Sequence, residues 1–372
     1  MRILSVVSLV SPDGAYGGPL RVAANQAQAL IEQGHRVTLA AGVRGYPTIP
    51  DTIQGVPAQL FPARTVVPGT GFAGLASPGL QRWVRKAARA YDVAHIHIAR
   101  DLITLPAARA LMQAKIPLFV QPHGMIDPSS NPLAIPLDAQ LTRPVLRAAQ
   151  AVFYLTKLER DHLRQVAGDL NLLPLANGVP FAEDRPAEPG SPEVLFLARL
   201  APRKRPVTFV EAAELLGRRF PEAHFTVVGP DEGEGSAVSA AIDRARAAGV
   251  PVTWEGALAP EETLDRMRKA SIYVLPSVDE PYGMTVVEAL SVARPVVVTH
   301  SCGLADFVTE HDAGRVSDLN VAGLAEAIAA LLQDPTEAVA MGRRGQQAVR
   351  TELSMAAIAT ELSARYSAAI SS

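Results

Sequence analysis

Cysteine is nearly absent: Cys302 is the single one in 372 residues. That excludes an internal disulfide framework and a thiolate metal cluster, and a reducing cytoplasm is the expected compartment. No stretch of about 18 apolar residues runs free of charge, so no transmembrane helix is expected. The opening MRILSVVSLVSPDG has one basic residue and lacks the small-residue cleavage site of a secretory signal, so it reads as a first buried strand. An excess of one charge is missing too. Against 35 Lys and Arg stand 37 Asp and Glu, a formal net charge of −2, too balanced for a histone-like or acidic-tail protein. No nucleic-acid partner is expected. The 27 glycines and 30 prolines follow no collagen-like period, and 48% hydrophobic residues exclude disorder along the whole chain.

The near-neutral total hides two halves. Residues 1–180 carry 17 Lys plus Arg and 10 Asp plus Glu, giving +7, whereas residues 181–372 carry 18 and 27, giving −9. The length suits two globular domains. Short β-type apolar runs alternate with helical patterns, which predicts an α/β chain of parallel sheets built from βαβ units. In the first half, strands are expected at Arg2 to Val10, Arg36 to Ala41, Val93 to Ile98, Pro117 to Gln121, Ala151 to Leu155 and Asn171 to Pro174. Helices are expected near 19–33, 79–90, 101–114, 138–149 and 156–167. The polar, proline-rich stretch Ala182 to Pro192 is the best linker in the chain.

Beyond it the pattern restarts, with strands expected at Glu193 to Ala198, His224 to Val228, Val252 to Glu255, Ser271 to Leu275, Pro295 to Thr299 and Gly314 to Val316. The expected organisation is a first domain over 1–180, a linker over 181–192 and a second domain over 193–353. Alanine-rich helical residues 334–370 close the chain, with 354–372 expected to pack back on the first domain. Two doubly wound, Rossmann-like halves would face each other across a cleft, with ligands beyond the carboxyl ends of their strands.

Five segments can carry chemistry. In Leu275 to Leu290 a buried strand ends, a loop with Pro281 and Gly283 follows, and a helix begins near Thr285. Free backbone N–H groups at that helix start, with Tyr282, Gly283, Met284 and Thr285 around it, suit an anion or sugar hydroxyls, and Glu280 and Glu288 can face one ligand. Read alone, Thr285 and Glu288 form a capping box, and Glu280 is a solvated loop acid. In Val194 to Pro206 a strand delivers Arg199 at its carboxyl end and Lys204 stands at the entry of the next helix, two cations that suit a diphosphate. Arg203 and Arg205 read as a solvated basic turn.

The first strand-to-helix loop, Ser11 to Arg21, carries Gly17 and Gly18, which let amides approach a phosphate but do not fit G-x-G-x-x-G. Gln121 to Asp127 follows a buried strand and aims His123 at the same edge. His95 and His97 share a strand face, but a zinc site lacks its further ligands. Finally, Arg82, Arg85, Lys86 and Arg89 recur at helical spacing beside Trp83, either as a solvated face or as a surface for anionic lipid or an anionic acceptor.

Taken together, the Gly17-Gly18 loop, His123-Gly124, Asn177-Gly178-Val179, Ala198-Arg199-Leu200 with Lys204, Val228-Gly229-Pro230 and Glu280-Pro281-Tyr282-Gly283-Met284 ending in Glu288 resemble the retaining GT-B glycosyltransferases of family 4. The resemblance covers nearly the whole chain. It implies hexosyl transfer from a UDP- or GDP-sugar to a glycan, glycolipid or lipid-linked acceptor in cell-envelope or polysaccharide biosynthesis. Glu288 would bind the ribose, and Glu280 with the Tyr282 to Thr285 backbone would hold the sugar and its phosphate. Arg199 and Lys204 would neutralise the diphosphate, Gly17 and Gly18 would approach it, Gly229 and Pro230 would line the nucleoside, and His123 would contact the sugar. Arg21 and Asp127 would stand on the acceptor side. The resemblance implies no metal and no cofactor beyond the donor itself. One departure stands out: the loop Thr299 to Asp306 keeps only Gly303 where the family has two glycines, with its acid displaced to Asp306.

An NAD-dependent oxidoreductase would share the βαβ pattern but needs the glycine fingerprint. A nucleotide-sugar epimerase of the same architecture, or a non-catalytic sugar-nucleotide-binding protein, is a closer rival. The basic first domain is expected to dock on an anionic membrane at the inner face of the cell membrane.

Overall fold

Runs such as RILSVVSLV, with Ile3, Leu4, Val6, Val7, Leu9 and Val10 all buried, form strands whose two faces are both covered. The computed structural model describes residues 1–12, 17–180 and 192–371. Asp13 to Tyr16 of the first glycine loop and residues 181–191 of the linker lie outside the described residues. The chain divides into two units, one of Met1–Pro180 with Met355–Ser372, the other of Phe181–Ser354.

The first unit holds β1 (Arg2–Val10), β2 (Arg36–Val43), β3 (Thr52–Ile53), β4 (Val56–Pro62), β5 (Arg64–Thr65), β6 (Leu75–Ala76), β7 (Val93–His97), β8 (Leu118–Gln121), β9 (Ala151–Tyr154) and β10 (Leu172–Pro174). Its main sheet runs β10-β9-β8-β7-β1-β2-β4-β3, and β5 pairs with β6 alone. All neighbours in the main sheet are parallel except β3 and β4. Strand order reverses beside β1, so the loops after β1, β7 and β8 leave the sheet around one switch point. β3 to β6 escape sequence reading because three are two residues long and β4 carries Pro57 and Pro62, which weaken a strand pattern.

Two expected helices differ in form. The one expected over 138–149 begins as a π-turn, Asp138–Thr142, and becomes the helix Arg143–Ala148. Pro144 lacks the N–H that would close the regular ladder there, and the wider turn absorbs the gap. Residues 334–370 are three pieces: the helix Pro335–Ala348, a π-turn Val349–Leu353 and the helix Met355–Ser371. In the last of these, Met355, Ile358, Ala359, Leu362 and Tyr366 repeat at helical spacing and are buried in the first unit's core. Gln33 Nε2 donates to Thr360 Oγ1 at 2.9 Å and to the Ala356 carbonyl at 3.2 Å.

The second unit holds β11 (Glu193–Leu197), β12 (His224–Val228), β13 (Val252–Trp254), β14 (Ile272–Leu275), β15 (Val296–Thr299) and β16 (Gly314–Ser317). All pairs are parallel, in the order β13-β12-β11-β14-β15-β16. This is the doubly wound arrangement, with its switch point between β11 and β14. Both units are Rossmann-like, as the alternating pattern predicts.

Candidate active site

Where β11 and β14 part, the loops leaving their carboxyl ends bring together residues that sequence analysis drew from separate motifs. Glu280 Oε2 accepts hydrogen bonds from Lys204 Nζ and, at 2.9 Å, from Arg203 Nη1. The Glu280 side chain is only 7% exposed and that of Lys204 12%. Glu280 is therefore not a solvated loop acid, whereas Arg203 stays on the exposed turn Pro202–Lys204, as expected, and reaches Glu280 from there. A carboxylate buried so far keeps its charge only with such partners. Glu280 Oε1 has no hydrogen-bond partner among the described residues. The Val278 N–H donates to the Arg203 carbonyl at 2.9 Å, which ties the two loops together.

The helix after the loop is Met284–Ser291, with Gly283 (φ 87°) as its N-cap and no side chain capping it. The capping box read from Thr285 and Glu288 does not form. The helix starts two residues earlier than that box requires, and the buried Tyr273 hydroxyl takes Thr285 Oγ1 at 2.6 Å while lying 3.0 Å from the Leu197 carbonyl. The Val286 N–H closes on the Gly283 carbonyl at 2.9 Å, and the Met284 and Thr285 N–H groups ahead of it stay available beside Tyr282 and Gly283. Glu288 is half-buried farther along the same helix.

The 300–304 loop braces this arrangement from the β15 side. Ser301 Oγ accepts from the Asp279 N–H at 3.1 Å, and the Gly303 N–H donates to the Glu280 carbonyl at 2.8 Å. A Cβ on Gly303 would lie 2.1 Å from the Pro281 carbonyl oxygen, so the one glycine that this loop retains stands where contact demands it. Asp306 falls in the first turn of the helix Ala305–Glu310. Burial pushes the Cys302 thiol up to about 11, so it stays protonated near neutral pH.

Arg199 lies farther out. Its side chain is 60% exposed and pairs with Glu232 at 2.9 Å, an exposed pair weak enough to exchange partners. Gly229 follows β12 with φ 146°, and a Cβ there would meet the Ala198 carbonyl oxygen at 1.9 Å. The Pro230 carbonyl accepts the Leu200 N–H at 2.8 Å. Asp231 Oδ1 accepts the N–H groups of Gly233 and Gly235, each at 2.8 Å, which orders the loop entering the helix Gly235–Ala247 and holds its carboxyl below the usual range.

In the first unit, Gly17 and Gly18 open the helix Gly17–Glu32, open space lies where a Gly18 side chain would be, and Arg21 is exposed one turn on. His123 sits past β8 with φ 55°, followed by Gly124 at φ 73°. The Gly124 N–H donates to Glu159 Oε1 at 2.5 Å, and Glu159 Oε2 takes the Leu155 N–H at 2.6 Å. Burial pushes the Glu159 carboxyl up, against the pull of those two amides. Asp127 pairs with Arg100 at 3.1 Å, and Arg100 also holds the buried Asp138 at 2.9 and 3.0 Å. His95 and His97 engage Tyr366 and His123 respectively, through their Nδ1 atoms. Among the described residues, no three His, Cys, Asp or Glu side chains are grouped to hold a metal ion.

Arg203, Glu232, Asp231, Glu159 and Arg100 went unread as site residues. Asp231 carried a signal, an aspartate ahead of closely spaced glycines. The basic side chains Arg82, Arg85, Lys86 and Arg89 are exposed along Pro78–Ala87 and the turn after it, while Trp83 lies 5.7 Å from Phe61 and 6.2 Å from Tyr91. No helix among the described residues is long and apolar enough to cross a membrane.

Comparison with known proteins gives these features a family. The family model "Glycosyl transferases group 1" matches residues 181–348, and "Glycosyl transferase 4-like domain" matches residues 17–178. A glycogen synthase of Mycobacterium tuberculosis is 32% identical over 193 residues, 51% of this chain and 45% of that relative, so the match spans under half of its length. An alpha-D-kanosaminyltransferase of Streptomyces kanamyceticus is 26% identical over 324 residues, covering 80% of this chain and 83% of that one. Among solved structures, HepE of Anabaena in complex with UDP shares the fold with a TM-score of 0.71 and 17% identity, over 99% of this chain and 100% of that one. With two doubly wound units and family matches that together run from residue 17 to 348, the chain belongs to the group 1 glycosyltransferases of the GT-B fold.

Proposed function

We propose that the protein moves a hexosyl group from a UDP- or GDP-sugar to a hydroxyl of a glycan, glycolipid or lipid-linked acceptor, retaining the anomeric configuration and using no metal. The observation that carries this reading is the buried Glu280 carboxylate, bound on one oxygen by Lys204 and Arg203 and open on the other, beside the uncapped start of the helix Met284–Ser291. Glu280 Oε1 accepts a sugar hydroxyl there. Lys204 and Arg199 stabilise the charge that grows on the diphosphate as the C1–O bond breaks. The acceptor oxygen bonds to C1 from the same face and its proton passes to the departing phosphate oxygen, which balances the step without a protein nucleophile. Glu288 holds the ribose, Gly229 and Pro230 flank the nucleoside, and Gly17, Gly18 and His123 supply contacts from the first unit, with Arg21 and Asp127 toward the acceptor. HepE was solved with UDP, which favours uridine as the base to try first.

A panel of UDP-, GDP- and ADP-sugars tests this reading. One nucleotide is expected to raise the melting temperature of the protein and to support transfer, with the product linkage matching the donor's anomer. At a hundredfold excess over Kd, such a ligand adds about 2.7 kcal/mol of stability. A protein that epimerises the sugar, or binds it without transfer to any acceptor offered, would overturn the assignment.

An acceptor with a lipid part is supported by where the first unit exposes large apolar side chains. Val66 and Val67 lie on the hairpin beyond β4, Leu133 and Ile135 in the segment beyond β8, and Leu158 just beyond β9, all past the carboxyl ends of strands. The basic row Arg82, Arg85, Lys86 and Arg89 adds attraction for an anionic bilayer. The full chain is expected to sediment with anionic vesicles in low salt and to be released in high salt; indifference to vesicle charge and to salt would remove the membrane from the proposal.

A further inference from the structure

We infer that His97 is a positioning residue that holds His123 in one neutral tautomer and one ring orientation. The inference rests on the reading that His123 meets the sugar. Its grounds are geometric. His97 Nδ1 and His123 Nε2 are 2.8 Å apart, the ring centroids are 5.0 Å apart, and the planes lie 11° from parallel. Two imidazoles joined by an N–H···N bond in a common plane have that separation, so the contact is a directed hydrogen bond and not face-to-face packing. On the other side of His97, the His95 ring is nearly parallel at 4.6 Å, and His95 Nδ1 meets the Tyr366 hydroxyl of the C-terminal helix at 2.6 Å.

Burial drives all three imidazoles toward the neutral form, to about 3 for His95 and His123. Between two neutral rings a single proton is shared, so fixing His97 fixes which nitrogen of His123 carries hydrogen. His123 Nδ1, which has no hydrogen-bond partner among the described residues, then faces a ligand with one defined character, donor or acceptor.

A packing role alone does not account for this column. An apolar side chain would fill the interior of β7 at less desolvation cost, and the column leaves His95 Nε2 buried without a partner among the described residues. His123 also occupies a left-handed backbone conformation that non-glycine residues hold only when their surroundings over-determine it. The turn is gripped from both sides, by His97 at the ring and by Glu159 at the Gly124 N–H.

Imidazole nitrogen-15 NMR of the full-length protein reads the tautomer directly. A single His123 tautomer is expected in the native chain, and a mixture of two would overturn the inference without need of any variant. His97→Phe is expected to keep the ring volume, release the tautomer and lower kcat by about 10- to 100-fold with the donor KM little changed. His97→Asn, whose amide reaches near the Nδ1 position, is expected to recover most of that loss at the same melting temperature. Equal losses in the Phe and Asn variants would reduce His97 to packing. His123→Ala separates the two layers: normal transfer by that variant would sink the sugar-contact reading, while the nitrogen-15 result still decides the tautomer.

Discussion

Replacing Lys204 by alanine is expected to lower kcat/KM for sugar transfer by about 100- to 1,000-fold, the scale seen when one preorganised stabilising group is removed from a charge that develops in the transition state. Two losses coincide in this variant. The leaving diphosphate loses its most buried cation, and Glu280 is left with Arg203, whose side chain is 41% exposed and better screened by water. The half-neutralised carboxylate would then repel the phosphate that it should sit beside. Lys204→Arg is expected to recover only part of the rate, because a planar fork does not reproduce a compact ammonium in a pocket shaped for one. Initial-rate kinetics with the donor found in the nucleotide panel decide this, and transfer within a few-fold of the native rate would remove Lys204 from the site.

The second large effect concerns stability. Gly229→Ala is expected to destabilise the second unit by about 3–5 kcal/mol, combining overpacking with backbone strain. The new methyl would lie 1.9 Å from the Ala198 carbonyl oxygen, and φ 146° is a conformation that L side chains rarely adopt. Neither β11 nor β12 can retreat cheaply, since both are interior strands of the sheet. Trp254 is a local reporter, because its Nε1 donates to the Gly229 carbonyl at 3.1 Å. Urea unfolding followed by its fluorescence in a Trp83→Phe background would register the second unit alone. A midpoint matching that of the parent would show that the loop yields more easily than its backbone contacts imply.

Both effects arise at positions that sequence motifs mark, yet the reasons behind them were only partly legible. Parallel strands buried on both faces read as continuous apolar runs, so β1, β7, β8 and the interior strands β11, β12, β14 and β15 stand out from the linear chain. The helical stretch expected over 138–149 is present, but its first five residues, Asp138–Thr142, form a wider turn just ahead of Pro144, an outcome that depended on neighbouring packing. Glu280, Lys204 and Gly283 were readable as types at strand ends. The bond from Arg203 to Glu280 spans 77 positions and that from Gly124 to Glu159 spans 35, separations that no local pattern encodes. Arg203 illustrates the difficulty: in sequence it is one of three adjacent cations, and only the return of the Glu280 loop distinguishes it from Arg205.

Tyr366 and its helix carry one more consequence, for the order in which the protein is made. The first unit is discontinuous, its core completed by residues that follow the entire second unit in the chain. During synthesis, the first 180 residues leave the ribosome with the face that Ile358, Leu362 and Tyr366 cover still bare, and remain so until the last helix emerges. The second unit, contiguous from Phe181 to Ser354, can close first. A chain stopped before that helix therefore leaves an apolar face of the first unit uncovered, while every residue of the second unit is already present.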